Sequence, residues 1–325
     1  MVNMAHTLNT HKLIYLYCMR RLRIASTQFM LKPYNSLSPF IDDVSKMLDM
    51  SKGCDMVVFG EWFTLGLIAA DIDIGKATYD DIPRIARFTD DLCKRFEELA
   101  VSRRQCIVAG TTVEEHSGKY YDTCFIFMPD GSMEKHRKTH LFPLEKDAWH
   151  MSEHDSMEVF EYGRCFNNSD SSSSIKQDWL SVKFGVCICY ESQIPECSRV
   201  LALNGAELIV CPSLTLTDAG YNRIRHSCEA RCIENQLVVV LSSTVGDLAP
   251  FPVRGIGRSA VLAPCDKPWP SNGIIADGMM NVEHTVIAEV DLDSINLTRE
   301  HGAARTHRDR MEKMQLYSRW FAPYG

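Results

Sequence analysis

The sequence lacks the features that define several classes of protein. It has no apolar run long enough to span a bilayer, and its 35 Lys and Arg against 42 Asp and Glu leave no basic excess to attract nucleic acid. It also has no Cys-x-x-Cys pair, no internal repeat and no linker long enough to separate two domains. We therefore expect one domain that binds neither membranes nor nucleic acid.

Acidic residues are absent from the first forty positions, which carry several Lys and Arg. This composition mildly resembles a transit peptide, but an N-terminal extension over residues 1–22 that is floppy or covers a partner is the favoured interpretation. The 13 cysteines, mostly within apolar segments, are typical of reduced buried side chains rather than of a secreted disulfide framework. We expect a reducing compartment, the cytoplasm, with the mitochondrion as the alternative.

Strand-like and helix-like segments alternate along the chain, and several strands lack the polar alternation of a sheet with one solvated face. We predict strands over residues 23–28, 55–59, 105–113, 179–189, 207–211, 237–244, 257–262 and 284–291, and helices over about 38–50, 82–103, 195–203 and 221–235. The segment NNSDSSSS, residues 167–174, is predicted to be a mobile loop. Sheets covered on both faces indicate an α/β layered sandwich.

Three polar side chains follow strand-like segments: Glu61 after DMVVFG, Lys138 after SMEKHR, and Cys189 at the end of VKFGVCIC. The carboxyl ends of strands are where open α/β sheets gather binding groups. Cys189 lies on a predicted strand-to-turn-to-helix elbow, which exposes a side chain, whereas Cys187 is still inside the strand. Each residue alone has an ordinary structural interpretation. Together they supply a thiol nucleophile, a carboxylate base and an ammonium for an oxyanion.

Other roles for the cysteines are disfavoured. If the strand continued through Cys187 and Cys189, their Cα atoms would be about 6.5–7 Å apart, too far for an easy disulfide, so a thiol oxidoreductase has little support. Metal binding needs more ligands at short spacing, and His226, Cys228 and Cys232 lie on a predicted helix where the first two face different ways. We therefore expect no metal site.

These motifs resemble the nitrilase superfamily of carbon-nitrogen hydrolases, and the resemblance covers nearly everything from residue 23 to about 317. The motifs for the catalytic glutamate, lysine and cysteine match VVFGEWFTLG, KTHL and GVCICYESQIPECSR, and weaker agreement follows in GAELIVCPS and EARCIENQ. The resemblance implies a Glu61-Lys138-Cys189 triad. The family's supporting glutamate is similar to Glu145, although the spacing in FPLEKDAW departs from the commoner form.

The resemblance also implies the reaction. Cys189 attacks a carbonyl carbon while Glu61 accepts its proton, and Lys138 and the backbone N–H of Tyr190 stabilise the oxyanion. The resulting thioester is hydrolysed by water, with Glu145 orienting Lys138 or the leaving group. The resemblance implies no metal and no organic cofactor.

The implied fold is a four-layer αββα domain over residues 23–298, which dimerises through its helical layers. Residues 299–325 are expected to form a C-terminal arm that reaches across the partner in a homodimer or higher homo-oligomer. Trp62, Phe63 and Trp149 follow catalytic motifs and are candidates to line the substrate pocket, with packing between loops as an equal alternative.

The Cys-Tyr-Glu sequence is more similar to amidase-like branches than to true nitrilases, so a small amide or carbamoyl compound is the expected substrate. A nitrilase, a soluble N-acyltransferase with the same triad, and a non-catalytic scaffold member of the family remain as alternatives.

Overall fold

The computed structural model of the chain describes residues 20–165 and 179–318. The loop predicted over residues 167–174 and most of the predicted N-terminal extension lie outside the described residues. The strands are β1 Arg21–Leu31, β2 Met56–Val58, β3 Cys106–Val108, β4 Thr112–His116, β5 Lys119–Phe127, β6 Met133–Arg137, β7 Val159–Cys165, β8 Trp179–Val186, β9 Leu208–Leu214, β10 Val238–Asp247, β11 Arg254–Gly255, β12 Ala260–Leu262, β13 Ile274–Asp277 and β14 His284–Asp291.

The α-helices are α1 Leu37–Met50, α2 Thr89–Arg103, α3 Pro143–Asp147, α4 Pro195–Leu203, α5 Asp218–Asn235, α6 Asp293–His301, α7 Thr306–Met311 and α8 Met314–Ser318. Shorter 3₁₀ helices span Leu65–Ala70, Tyr79–Phe88 and Cys189–Gln193. Within the described ranges, no helix combines the length and the apolar character that crossing a membrane requires.

Strand β1 belongs to two sheets. Its residues 21–28 pair with β14 and residues 24–26 with β2, whereas residues 29–31 pair in parallel with β10. The first sheet continues from β2 through β3 to β5, which also pairs with β4 and β6. The second sheet runs from β10 through β9 and β8 to β7. Strand β1 therefore connects the two sheets, because its first part pairs in one sheet and its last part pairs in the other.

The alternation of side chains along β2 shows how the layers are stacked. Met56 and Val58 belong to the core between the two sheets, whereas Val57 and Phe59 pack with apolar side chains of α1 and α2. On the other side of the molecule, α4 contacts β8 and α5 contacts β10. The order of layers is therefore helix, sheet, sheet, helix, which confirms the predicted four-layer αββα single domain.

The helix predicted over residues 82–103 is wrong in its first part. Residues Tyr79–Phe88 form a 3₁₀ helix that contains Pro83, and α2 begins only at Thr89. Proline has no backbone N–H to donate and its ring disfavours a continuous α-helix, which accounts for the change of geometry.

The strand predicted over residues 105–113 is two strands, β3 and β4, separated by a break at Gly110. This glycine has a φ of +48°, and a Cβ on it would collide with the carbonyl oxygen of Gly60. Only glycine allows the two chain segments to approach so closely. The approach packs the end of β3 against the residue that precedes Glu61.

Candidate active site

The site lies where several strands end. Glu61 follows β2, Lys138 directly follows β6, Cys189 follows β8, and Leu214 is the last residue of β9. All four residues line one cavity of about 280 Å³, so the structure brings the three side chains singled out in the sequence to a common space.

The Lys138 ammonium sits among carboxylates. Its Nζ lies 2.6 Å from Oε1 of Glu61 and 2.7 Å from each carboxylate oxygen of Glu145. Lys138 is 1% exposed, and burial alone lowers the pKa of an ammonium, but chiefly the charges of Glu145 and Glu61 raise the pKa of Lys138 well above its ordinary value. The lysine is therefore a permanent cation in this site.

The Cys189 thiol is neutral in this environment. Its Sγ accepts a hydrogen bond from the Ser213 hydroxyl at 3.4 Å and donates to the carbonyl oxygen of Leu214 at 3.6 Å. Burial, followed by the charge of Glu61, raises the pKa of Cys189 well above its ordinary value, despite the opposing effect of Lys138. A thiol of this kind needs a base to remove its proton before it can react as a nucleophile.

Glu61 lies in the same cavity as the thiol, and both side chains are hydrogen-bonded to the backbone of Leu214. The Glu61 Oε2 accepts a hydrogen bond from the Leu214 N–H at 2.6 Å, and the Leu214 carbonyl oxygen in turn accepts from the Cys189 thiol. Burial raises the pKa of Glu61 to about 7, against the opposing effects of Lys138 and the Leu214 N–H. A carboxylate with a pKa near neutrality accepts and returns protons at physiological pH.

The turn that carries Cys189 is a strained elbow. Strand β8 ends at Val186 rather than at Cys189, the predicted end, and a 3₁₀ turn over Cys189–Gln193 leads to α4. Cys189 has a φ of +43°, a left-handed conformation that non-glycine residues rarely adopt. Such conformations concentrate at functional sites, where the surrounding structure holds them.

Both carboxylate oxygens of Glu145, the predicted supporting glutamate, accept hydrogen bonds. Besides Lys138, its carboxylate accepts from the Trp62 indole N–H at 2.8 Å and from the Phe142 backbone N–H at 2.8 Å. The Trp62 ring packs edge-on against Trp149 with 5.0 Å between centroids, and both tryptophans line the cavity. The tryptophans thus belong to the cavity wall, and Trp62 also orients a carboxylate of the site.

Phe63 does not line the cavity, which was one of the two roles that the sequence left open for it. It packs in the layer between the first sheet and its helices, with ring contacts to Phe29, Phe40, Phe59 and Phe96. Trp62 has a φ of +55°, and the chain turns there, so its side chain and that of Phe63 enter different clusters.

Glu191, which sequence reasoning did not single out, joins the nucleophile turn to the lysine segment. Its carboxylate accepts from the Ile188 N–H at 2.6 Å, and from the Thr139 N–H at 2.7 Å and hydroxyl at 2.6 Å. Nε2 of His136 lies 3.1 Å from the same carboxylate. Burial raises the pKa of Glu191, but His136 and the Thr139 hydrogen bonds outweigh it and hold the pKa below its ordinary value.

Asp122 was also missed, although an acid within the apolar strand YYDTCFIF was a signal in the sequence. Carboxylate oxygens of Glu61, Asp122 and Glu145 lie within 4.8 Å of one another, a spacing at which three acids can hold a metal ion. The Lys138 Nζ lies 3.6 Å from Asp122 and in hydrogen-bond contact with both glutamates. The cluster therefore already surrounds a cation, the ammonium of Lys138.

The layered fold and the buried cluster define an α/β enzyme whose site combines a thiol, an ammonium and carboxylates. The sequence profile of the family described as "Carbon-nitrogen hydrolase" matches residues 23–300. The chain belongs to the carbon-nitrogen hydrolase family, as its motifs predicted.

Individual relatives agree with this assignment. The chain is 31% identical to a probable hydrolase, YhcX, of Bacillus subtilis over 89% of its own length, and spans 53% of that protein. It is 26% identical to the omega-amidase NIT2 of Xenopus tropicalis over 92% of this chain and 98% of the relative.

A solved structure with the same fold is a variant of the amidase from Nesterenkonia sp. AN1, with the acetamide moiety of fluoroacetamide added covalently at its active-site cysteine. It aligns with a TM-score of 0.66 and 16% identity over 94% of this chain and 98% of that one.

Proposed function

We propose that this enzyme is a cysteine-dependent amidase, which releases ammonia from a small amide or carbamoyl compound through a thioester intermediate. The observation that carries the proposal is the shared cavity, where Leu214 bridges a neutral thiol at Cys189 and a Glu61 carboxylate with a pKa of about 7, beside the cation Lys138. The relatives named as amidases support an amide rather than a nitrile as the substrate.

The first half of the reaction forms the thioester. Glu61 accepts the thiol proton as Cys189 Sγ bonds to the carbonyl carbon, and the carbonyl oxygen becomes an oxyanion that Lys138 and the Tyr190 backbone N–H stabilise. Glu61 then returns the proton to the nitrogen. The carbon–nitrogen bond breaks, ammonia leaves, and the acyl group remains on sulfur.

The second half uses the same groups with water in place of ammonia. Glu61 accepts a proton from water as the water oxygen bonds to the acyl carbon. The carbon–sulfur bond then breaks and leaves the Cys189 thiolate. The proton passes from Glu61 to sulfur, which restores the resting enzyme and releases the acid. Glu145, fixed by Trp62 and Phe142, holds the Lys138 ammonium in place during both halves.

The cavity wall indicates the kind of amide. It is lined mostly by apolar side chains, including Trp62, Trp149 and Ile224, with Arg223 as a further cation besides Lys138. Arg223 is exposed and has no salt-bridge partner within the described part of the chain. We therefore infer a preference for amides with a short apolar body and an anionic group, as in an omega-amide, whose carboxylate Arg223 would bind.

The test is ammonia release from a panel of short-chain amides, omega-amides, carbamoyl amino acids and nitriles. We expect turnover of at least one amide, and loss of at least about 10³-fold in Cys189→Ala, because the nucleophile is removed. Cys187→Ala is the matched control, since Cys187 is a buried thiol two residues away that the mechanism does not use. Equal activity of wild type and Cys189→Ala on every substrate would refute the mechanism.

The panel also separates the alternatives. Turnover confined to nitriles would identify a nitrilase. Capture of the acyl group by added amines in preference to water would identify an N-acyltransferase. No turnover, together with no labelling of Cys189 by an electrophilic thiol reagent, would indicate a scaffold protein.

A further inference from the structure

Asp122 is a buried carboxyl group that the mechanism above leaves without a role. It lies on β5, is 0% exposed, and shares a strand face with Cys124 toward the core between the sheets. Its backbone carbonyl accepts the Lys138 N–H at 2.9 Å, and its Oδ2 lies 3.6 Å from the Lys138 Nζ. The side chain therefore belongs to the carboxyl cluster around the ammonium.

The three acids of the cluster differ in how many donors they receive. The Glu145 carboxylate accepts from Lys138, Trp62 and Phe142, and the Glu61 carboxylate accepts from Lys138 and Leu214. In the described part of the chain, neither carboxyl oxygen of Asp122 has a hydrogen-bond donor at contact distance. The Thr111 hydroxyl lies near enough to lower the pKa of Asp122, but it does not form a hydrogen bond of normal geometry with the carboxyl oxygens.

The net charge of the cluster indicates that one acid is protonated, and the hydrogen-bond donors indicate which one. With all three acids ionised, the ammonium would leave a net charge of −2 in a buried site, which is costly. Hydrogen bonds from N–H groups stabilise the ionised forms of Glu61 and Glu145, whereas an ionised Asp122 would lack them. The proton is therefore most stable on Asp122.

We propose that Asp122 carries a proton in the resting enzyme and positions the Lys138 ammonium as a neutral group. The titratable groups that face it are Lys138 from the end of β6, Glu61 from the loop after β2, Glu145 from α3, and Cys124 from its own strand. Burial, followed by Glu145 and Glu61, raises the pKa of Asp122 well above its ordinary value, although Lys138 lowers it. A neutral Asp122 fills the third side of the ammonium without adding a negative charge that would repel the ionised form of Glu61.

Infrared spectroscopy of the resting enzyme tests the proton directly, and it requires no substrate. We expect a carboxylic-acid C=O band at pH 7–8 that shifts on ¹³C-labelling of aspartate and is absent from Asp122→Asn. Asp130→Asn, in the exposed turn between β5 and β6, is the matched control and should leave the band unchanged. Absence of the band from labelled wild-type protein would overturn the proposal, whether or not Asp122→Asn folds.

The pH dependence of activity tests the positioning role, which rests on the proposed function. Asparagine has the shape and charge of protonated Asp122, so the acid limb of kcat/KM in Asp122→Asn should stay within about 0.3 pH units of wild type. If Asp122 were ionised, the same variant would remove a negative charge beside Glu61 and lower the acid-limb pKa by about one unit or more. An inactive wild-type enzyme would refute the proposed function and leave the infrared result to decide on the proton.

Discussion

At the scale of single residues, the proposed mechanism makes thiol activation depend on the pKa of Glu61. Only ionised Glu61 can accept the Cys189 proton, and burial raises the pKa of Glu61 to about 7. We expect kcat/KM to fall about tenfold per pH unit as the pH drops below about 7, with an apparent pKa that belongs to the coupled cluster. A pH profile in overlapping buffers measures this limb. An acid limb near 4.3, the value of an ordinary glutamate, would show that burial does not act as inferred.

Arg223 provides a second prediction at this scale, about the choice of substrate. Its guanidinium is exposed, so an ion pair with a substrate carboxylate contributes at most about 1 kcal/mol. We expect Arg223→Gln to raise KM roughly fivefold for an omega-amide and to leave KM unchanged for a neutral amide of the same length. Steady-state kinetics on the two substrates measures the difference.

Reversing the charge of residue 223 provides a stronger test of whether it recognises the charge of the substrate. Arg223→Glu should favour an amide that carries an amine at the far end over the corresponding omega-amide. If KM values for anionic, neutral and cationic amides respond equally to both substitutions, Arg223 does not recognise charge.

At the scale of structural elements, the Glu191 carboxylate joins the nucleophile turn at Ile188 to His136 and Thr139, which flank Lys138 in the chain. Glu191→Gln replaces two acceptor oxygens by one oxygen and an amide that meets the donors of Ile188 or Thr139. We expect kcat to fall by on the order of 10- to 100-fold with a small change in KM, because Lys138 and Cys189 lose their alignment.

Steady-state kinetics and circular dichroism together measure this effect, because they separate misalignment from unfolding. Glu196→Gln, in the exposed first turn of α4, is the matched control. A kcat in Glu191→Gln equal to that of the control would show that the carboxylate is not needed for alignment.

Much of the element order was predictable from the sequence, for physical reasons. Helix α4 occupies the predicted range 195–203, because Pro195 starts it and Asn204-Gly205 ends it, and β14 occupies the predicted range 284–291. The break at Gly110 was not predictable, since it depends on contact with Gly60, a residue distant in sequence. The spacing of apolar residues indicates which side chains are buried, but it does not indicate which residues distant in sequence lie in contact.

In the candidate site, too, some residues could be predicted from the sequence and others could not. Glu61, Lys138 and Cys189 were recognisable because each stands just beyond a strand-like segment and lies in a motif that resembles one of the family's three. Asp122 lies inside a strand, where local pattern indicates only a buried side chain, and its nearness to Lys138 follows from the pairing of β5 with β6. The sequence left open whether Phe63 lines the pocket or packs, because the turn at Trp62, which separates the two aromatic side chains, has no signature in the sequence.

At the scale of the whole molecule, exposed apolar side chains occur in both helical layers, including Met50 and Val101 on α1 and α2, and a further set lies on the layer of α4 and α5 and on the C-terminal helices. The members of this further set are Val200 on α4, Ile233 on α5, Leu297 on α6, Met311 on α7, and Met314 and Leu316 on α8. Residues 299–307 dock on the same layer of their own chain, where Arg299 donates to the Gln236 carbonyl and Thr306 to the Ile233 carbonyl. An apolar face of this kind is typical of a surface that a partner covers.

We therefore expect a homodimer in solution that forms through the layer of α4 and α5. Val200→Asp and Ile233→Asp should shift the mass measured by light scattering from dimer to monomer, because each places a charge in an apolar interface. Val101→Asp on α2, in the opposite helical layer, is a close control, since Val101 is 45% exposed against 43% for Val200 and 45% for Ile233. If all three variants keep the wild-type mass, the dimer does not use this layer. If only Val101→Asp dissociates, the opposite helical layer forms the interface.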